Sequence, residues 1–162
     1  MKVIFRSARI DFVEICEDLI PDYLVMVNDK EHVDRFFGGS DRIYTAEDEH
    51  KWLASKLAEQ APVYSMIERE SGRYIGNIEL RDMHDKEAEL GIALTYAMQD
   101  KGFGTEAVTA LNAYGFGSLG LDRIYLRASP TNHRAIHVYL KCGYREVRRT
   151  EDHVYMERNK ND

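Results

Sequence analysis

The sequence predicts one mixed α/β domain built on a mostly antiparallel sheet, and three observations predict it. Val63 to Ile67, Tyr74 to Leu80 and Glu87 to Leu94 are apolar, β-branched runs separated by short polar turns, the pattern of consecutive antiparallel strands. The third run leads into a glycine loop, Gln99-Asp100-Lys101-Gly102-Phe103-Gly104-Thr105, and a helix from Glu106 to Leu119. A strand at Arg123 to Ala128 and a second helix opening at Asn132 then give a parallel step.

Taken in order, Val3 and Phe5 suggest a first strand on their β-branched and aromatic content. From Asp11 onward Phe12, Ile15, Cys16 and Leu19 recur at helical intervals until Pro21 interrupts, and Tyr23 to Asn28 give a further turn or two. Phe36-Phe37-Gly38-Gly39 is a punctuated loop. Thr45 caps the next helix, with Glu47, Asp48 and Glu49 in the first turn, Trp52, Leu53 and Leu57 on its apolar side, and Pro62 as its stop. Between the second and third strands of the antiparallel trio lies a polar loop, Asp82 to Lys86. The helix after the glycine loop buries Ala107, Val108, Leu111 and Tyr114 and stops at Gly120. Ile124, Leu126 and Ala128 share one side of their strand, and Ala135, Ile136, Tyr139 and Leu140 share a helix face before Gly143. Tyr144 to Arg149 and His153 to Arg158 close the chain as a hairpin over Glu151-Asp152.

A chain of 162 residues, 44% hydrophobic and 31% charged, can bury a core of its own as a single domain. No apolar run approaches the roughly 20 residues that span a bilayer, and the start has no signal-peptide core, so a cytoplasmic location is expected. The formal charge of −6 argues against general nucleic-acid binding. It suits a cationic acceptor, although solubility accounts for it equally. Cys16 and Cys142 lack zinc-site spacing and are expected reduced. His133 and His137 are four apart on a helix but have no adjacent Glu and no third ligand, so no metal is expected.

The glycine loop carries the functional signal. Without side chains at Gly102 and Gly104 the backbone can approach a ligand closely, and free amides at a helix start favour an anion such as a pyrophosphate. Gly102-Phe103-Gly104-Thr105-Glu106-Ala107 also satisfies the Gly-x-Gly-x-x-Ala dinucleotide pattern. That pattern belongs at the first strand-to-helix turn of its fold, with an acidic residue ending the next strand. Here it begins at Gly102, and the next strand runs into Ser129-Pro130, which disfavours NAD.

Gln99-x-x-Gly102-x-Gly104, followed by Asn132-x-x-Ala135-x-x-x-Tyr139-x-x-x-Gly143-Tyr144, resembles the acetyl-CoA loop and C-terminal helix of the GNAT superfamily of acyl-CoA-dependent N-acyltransferases. The resemblance is close from Ile75 to Val147, and its nearest branch contains ribosomal-protein N-terminal acetyltransferases. It implies a single GNAT-type domain with helices on both sheet faces, acetyl-CoA as co-substrate and a primary amine as acceptor. A monomer or homodimer is expected, with neither nucleic acid nor membrane as partner.

The resemblance also assigns residues. Ile92, Ala93 and Leu94 would present backbone groups to the pantetheine arm and thioester, and Gln99, Lys101, Gly102, Phe103, Gly104, Thr105, Asn132 and Ala135 would bind the cofactor. Taken alone, Ile92 to Leu94 are core residues and Asn132 is an N-cap. Tyr139 matches the position that protonates the departing thiolate; a phenol near pKa 10 stays protonated at neutral pH, although a buried tyrosine can equally be packing. Glu89 resembles a carboxylate that takes the amine proton through water, with Glu79 and Glu87 as rivals. Phe36, Phe37 and Trp52 are the acceptor-site candidates, with His32 and Tyr44 beside them. A protein α-amine stands slightly ahead of polyamine, aminoglycoside or small-metabolite amines. The class-level alternative is a non-catalytic acyl-CoA sensor.

Overall fold

Period-two burial sets the sheet: in the strand Arg123–Ala128, Ile124, Leu126 and Ala128 are buried while the residues between them are not. The structure, a computed structural model, describes residues 1–33 and 41–162. Its strands are β1 (Val3–Arg6), β2 (Ile10–Glu14), β3 (Val63–Glu68), β4 (Tyr74–His84), β5 (Glu87–Leu94), β6 (Arg123–Ala128), β7 (Arg145–Arg149) and β8 (Val154–Asn159). They form one sheet in the order β1-β2-β3-β4-β5-β6-β8-β7. Every neighbouring pair is antiparallel except β5 and β6.

The helices are α1 (Ile20–Val27), α2 (Ala46–Ala58), α3 (Phe103–Gly117) and α4 (His133–Lys141). One apolar cluster packs α3 and α4 residues such as Ala107, Leu111 and Tyr139 against Ile78, Leu90 and Ile124. A second packs Ile20, Tyr23 and Leu53 of α1 and α2 against Val13, Val63 and Ile67. The helices therefore cover both faces of a mostly antiparallel sheet.

Several local expectations change. The segment after Asp11 is strand β2 and not a helix, since Phe12 pairs with Met66 and Asp11 with Ile67. Pro21 starts α1 and does not end a helix, because at the first turn its missing N–H has no helical partner to lose. β4 and β5 run into the polar stretch, leaving a two-residue turn in which Asp85 and Lys86 have φ of 50° and 63°, the left-handed pair of a tight hairpin. α3 begins at Phe103, before the expected Glu106. Leu57 and Leu140 are exposed, Leu140 because the buried stripe of α4 runs through Tyr139. The cap on α2 is as expected: the Thr45 hydroxyl accepts from the Asp48 amide and the Asp48 carboxylate accepts from the Thr45 amide.

Candidate active site

The site begins where two strands part. β5 and β6 pair only from Glu87 to Glu89 against Arg123 to Tyr125, yet they continue to Leu94 and Ala128. β5 stays with β4 to its end, where an added Cβ on Gly76 would lie 1.9 Å from the Ala93 carbonyl oxygen, so only glycine fits. Beyond Glu89 the β6-facing edge of β5 has no ladder partner among the described residues, and apart from the Leu94 carbonyl, which a side chain engages, its backbone groups are left to a ligand. A cavity of about 610 Å³ fills the gap. Ile92, Ala93 and Leu94 line it from β5, Gln99, Gly102, Gly104 and Thr105 from the loop, and Asn132, Ala135 and Tyr139 from the α4 region.

Gly102, with φ of 83°, is the N-cap of α3. The amides of Phe103, Gly104 and Thr105 have no acceptor among the described residues, so the positive end of a four-turn helix is available to an anion. Gly104 is not required by the fold: an added Cβ would meet only Leu94 Cδ1 at 3.7 Å and Val138 Cγ1 at 4.0 Å, both ordinary contacts. The missing side chain leaves the cavity wall open. These features fit a pyrophosphate-bearing ligand.

The loop is tied from behind. The Arg9 guanidinium donates to the Lys101 carbonyl at 3.1 Å and to Glu106 at 2.8 Å, and lies 4.2 Å from the Phe103 ring centroid. Burial pushes the Glu106 carboxyl up, but hydrogen bonds from Ser7 and Arg9 outweigh it and hold the group below its ordinary range. Phe103 does not line the cavity, because its side chain joins Ala107 and Leu111 on the buried stripe of α3. Lys101 is exposed and does not line the cavity. Gln99 is committed within the protein: Nε2 donates to the Leu94 carbonyl at 3.1 Å, and Oε1 accepts from Arg134 at 2.8 Å. Asn132 Oδ1 accepts from the Ala135 amide at 3.2 Å and caps α4. Arg127 and Arg134 also line the cavity; sequence reasoning missed both, since neither belongs to a motif.

Tyr139 is 8% exposed and turns toward the same cavity, and no residue among those described hydrogen-bonds its hydroxyl. Burial, helped by the Cys142 sulfur and opposed by Arg81, pushes the phenol up to about 12. It is protonated throughout the neutral range.

A second cavity, of about 380 Å³, lies toward α1 and α2 and shares Ile92 and Ala93 with the first. Tyr23 of α1, Glu49 and Trp52 of α2, and Asn77, Glu79 and Gly91 of the sheet line it. Trp52 packs edge-on against Tyr23 at 5.6 Å. Phe36 and Phe37 lie outside the described residues. Under the floor, Tyr23 donates to Ser65, Ser65 donates to Asn77 Oδ1 at 2.9 Å, and Tyr74 donates to the same oxygen at 2.9 Å. Glu89 sits at the point of divergence, 8% exposed, with Arg81 Nε at 3.5 Å and Arg127 Nε at 3.4 Å. It lines neither cavity, whereas Glu79, opposite Gly91 in register and 3.3 Å from Arg81, lines the second. Among the described residues no group of His, Cys, Asp and Glu could hold a metal ion, and no helix is long and apolar enough to cross a membrane.

An eight-stranded mixed sheet opened between its one parallel pair, with a glycine loop at the head of a helix beside the gap, defines the class. The chain belongs to the acetyltransferase (GNAT) domain family, whose model matches residues 9–145. Among curated proteins, the spermidine N(1)-acetyltransferase of Vibrio cholerae serotype O1 is 30% identical over 106 residues, 64% of this chain and 61% of that protein. The match thus spans about three fifths of that relative's length. A crystal structure of spermidine N-acetyltransferase from Vibrio cholerae, in complex with CoA and spermine, superposes with a TM-score of 0.86 at 18% identity, covering 96% of this chain and 98% of that one. A Vibrio cholerae protein put forward as a ribosomal-protein-serine acetyltransferase gives 0.79 at 17% identity over 98% and 99%. At such identities the two superpositions show the fold alone.

Proposed function

We propose that this chain transfers an acetyl group from acetyl-CoA to a primary amine of a polyamine, by direct attack in a ternary complex. The observation that carries the proposal is that two cavities, one with an anion-binding helix terminus and one with carboxylates in its wall, meet at Ile92 and Ala93. Acetyl-CoA supplies the activated acyl group as a thioester. The open edge of β5 orients it and holds the charge that develops on its oxygen. The amine nitrogen bonds to the acyl carbon as the carbon–sulfur bond breaks; the amine proton leaves to a carboxylate, and Tyr139 protonates the thiolate.

Of the carboxylates expected to take the amine proton, Glu79 lines the acceptor cavity and Glu89 does not, which favours Glu79. The acceptor order expected from sequence is reversed. Arg42 and Lys51 also line that cavity and pair with Asp48 at 2.7 Å and Glu47 at 3.2 Å; of its other carboxylates Glu79 lies 3.3 Å from Arg81 and Glu49 has no cation beside it among the described residues. A wall of that kind suits a polycation, and the similarity to a spermidine acetyltransferase supports the same choice over a peptide α-amine.

Acetyl-CoA turnover by purified protein with spermidine, an N-terminal peptide and an aminoglycoside tests the proposal. Spermidine is expected to give the highest kcat/KM, and Glu79→Gln to lower it more than Glu89→Gln does. Exclusive acetylation of the peptide would reverse the acceptor assignment, and no turnover of any amine would favour the acyl-CoA sensor.

A further inference from the structure

Among the described residues two carboxylates are buried, Glu49 at 6% exposure and Glu89 at 8%. Glu89 has two arginines within 3.5 Å. Among the described residues Glu49 has no hydrogen-bond or ion-pair partner, although it lines the acceptor cavity. Its carboxylate oxygens open to that cavity and are not sealed in the core, so the charge is partly desolvated with no protein cation to compensate it, and a glutamine would fit with less loss. The first turn of α2 favours an acid through the helix dipole, but the capping box there is completed by Asp48 and gives Glu49 no partner.

The groups around Glu49 are already engaged. The Tyr23 hydroxyl donates to Ser65 and the Tyr74 hydroxyl to Asn77, so neither donates to Glu49. Asp48 adds a second negative charge on the same turn, itself bound to Arg42 and the Thr45 amide. Burial first, and the Asp48 charge second, push the Glu49 carboxyl up, and its own charge contributes to raising Tyr23 and Tyr74. The cations that line the same cavity, Arg42 and Lys51, pair with Asp48 and Glu47, and neither pairs with Glu49.

A cation that pairs with Glu49 is not the reacting nitrogen, which must be neutral to attack. Glu79 stands in register with Gly91, next to the residues where the two cavities meet, whereas Glu49 reaches the acceptor cavity from α2. We infer that Glu49 anchors a second, non-reacting ammonium of the acceptor, so that the site selects aliphatic amines with two or more cationic nitrogens over monoamines. This inference rests on the proposed acetyl transfer to a polyamine, and its test separates the two.

Wild type and Glu49→Gln are compared in steady state with spermidine and with n-butylamine, and spermidine binding is measured by calorimetry without acetyl-CoA. The substitution is expected to raise KM for spermidine by about 10- to 100-fold more than for butylamine, the range for a lost hydrogen bond to a charged group, with a matching loss of spermidine affinity. The Tm of the ligand-free variant at pH 7 is expected to equal or exceed that of wild type. Equal KM changes for the two amines, or unchanged spermidine affinity, would overturn the inference. So would a lower Tm, which would show the carboxylate to be satisfied in the free protein. If wild type acetylates neither amine, the proposed activity fails, while the Glu49 assignment still stands or falls on the calorimetry.

Discussion

Tyr139 is held deep in the wall of the larger cavity by α4 packing, and no protein group competes for its hydroxyl among the described residues. Replacing it with Phe keeps the ring and its packing and removes only the acid. The proposed role predicts a fall in kcat of roughly 10²–10⁴-fold with little change in acetyl-CoA affinity; a wild-type kcat would make the tyrosine structural. The phenol also has a pH signature. Its folded value of about 12 lies above the ordinary 10.0, so the stability gained by keeping it neutral is complete below pH 10 and is lost as pH rises through about 12. Thermal melts across pH 9 to 12 should therefore show wild type losing more stability than the Phe variant. Tyr139 was legible in the sequence because its spacing from Asn132 and Gly143 is local to one helix. Glu49 was legible only as a first-turn acid of α2; it shares a cavity wall with Tyr23, Asn77 and Glu79, which are distant in the chain.

The glycine loop and α3 were legible for a chemical reason, since two glycines at a helix start are unfavourable unless a turn or a ligand needs them. The structure separates those needs. Gly102 serves the turn through its φ of 83°, whereas Gly104 has ordinary room for a Cβ. Gly104→Val is accordingly expected to lower acetyl-CoA affinity at least tenfold, by placing methyl groups in the cavity, while the Tm of the free protein moves by only a few degrees for the cost of a β-branched residue in the first helical turn. Unchanged affinity by calorimetry would remove the loop from the binding site. β2 was misread for the opposite reason. It lies between β1 and β3, with Ile10 and Phe12 in one apolar cluster and Val13 in the other, so the alternation that marks a half-exposed strand is blurred. The isolated run Phe12, Ile15, Cys16, Leu19 then imitates a helical period.

The larger cavity could be anticipated because most of its wall comes from two continuous segments, 92–105 and 128–141, joined through α3 and β6. The smaller cavity could not, because Tyr23, Glu49, Glu79 and Gly91 meet only once the sheet has formed and α1 and α2 have docked on it. The larger cavity also touches both halves of the fold, since Val33 lines it from the α1 side and Lys141 from the end of α4. A ligand bound there contacts the native arrangement and nothing comparable in the unfolded chain. At about 100 times its Kd, acetyl-CoA should therefore stabilise the protein by about 2.7 kcal/mol. For a domain of this size that is a Tm increase of about 5–11 °C, at roughly 2–4 °C per kcal/mol. NAD also carries a pyrophosphate, but after β6 the chain has no ribose-binding acid at the strand end, since Ala128 is followed by Ser129-Pro130. It is expected to shift Tm by less than a degree at the same concentration. Differential scanning calorimetry with each ligand decides the matter: equal shifts would mean that the loop recognises a pyrophosphate without the rest of acetyl-CoA, and no shift with acetyl-CoA would remove the basis for the proposed transfer.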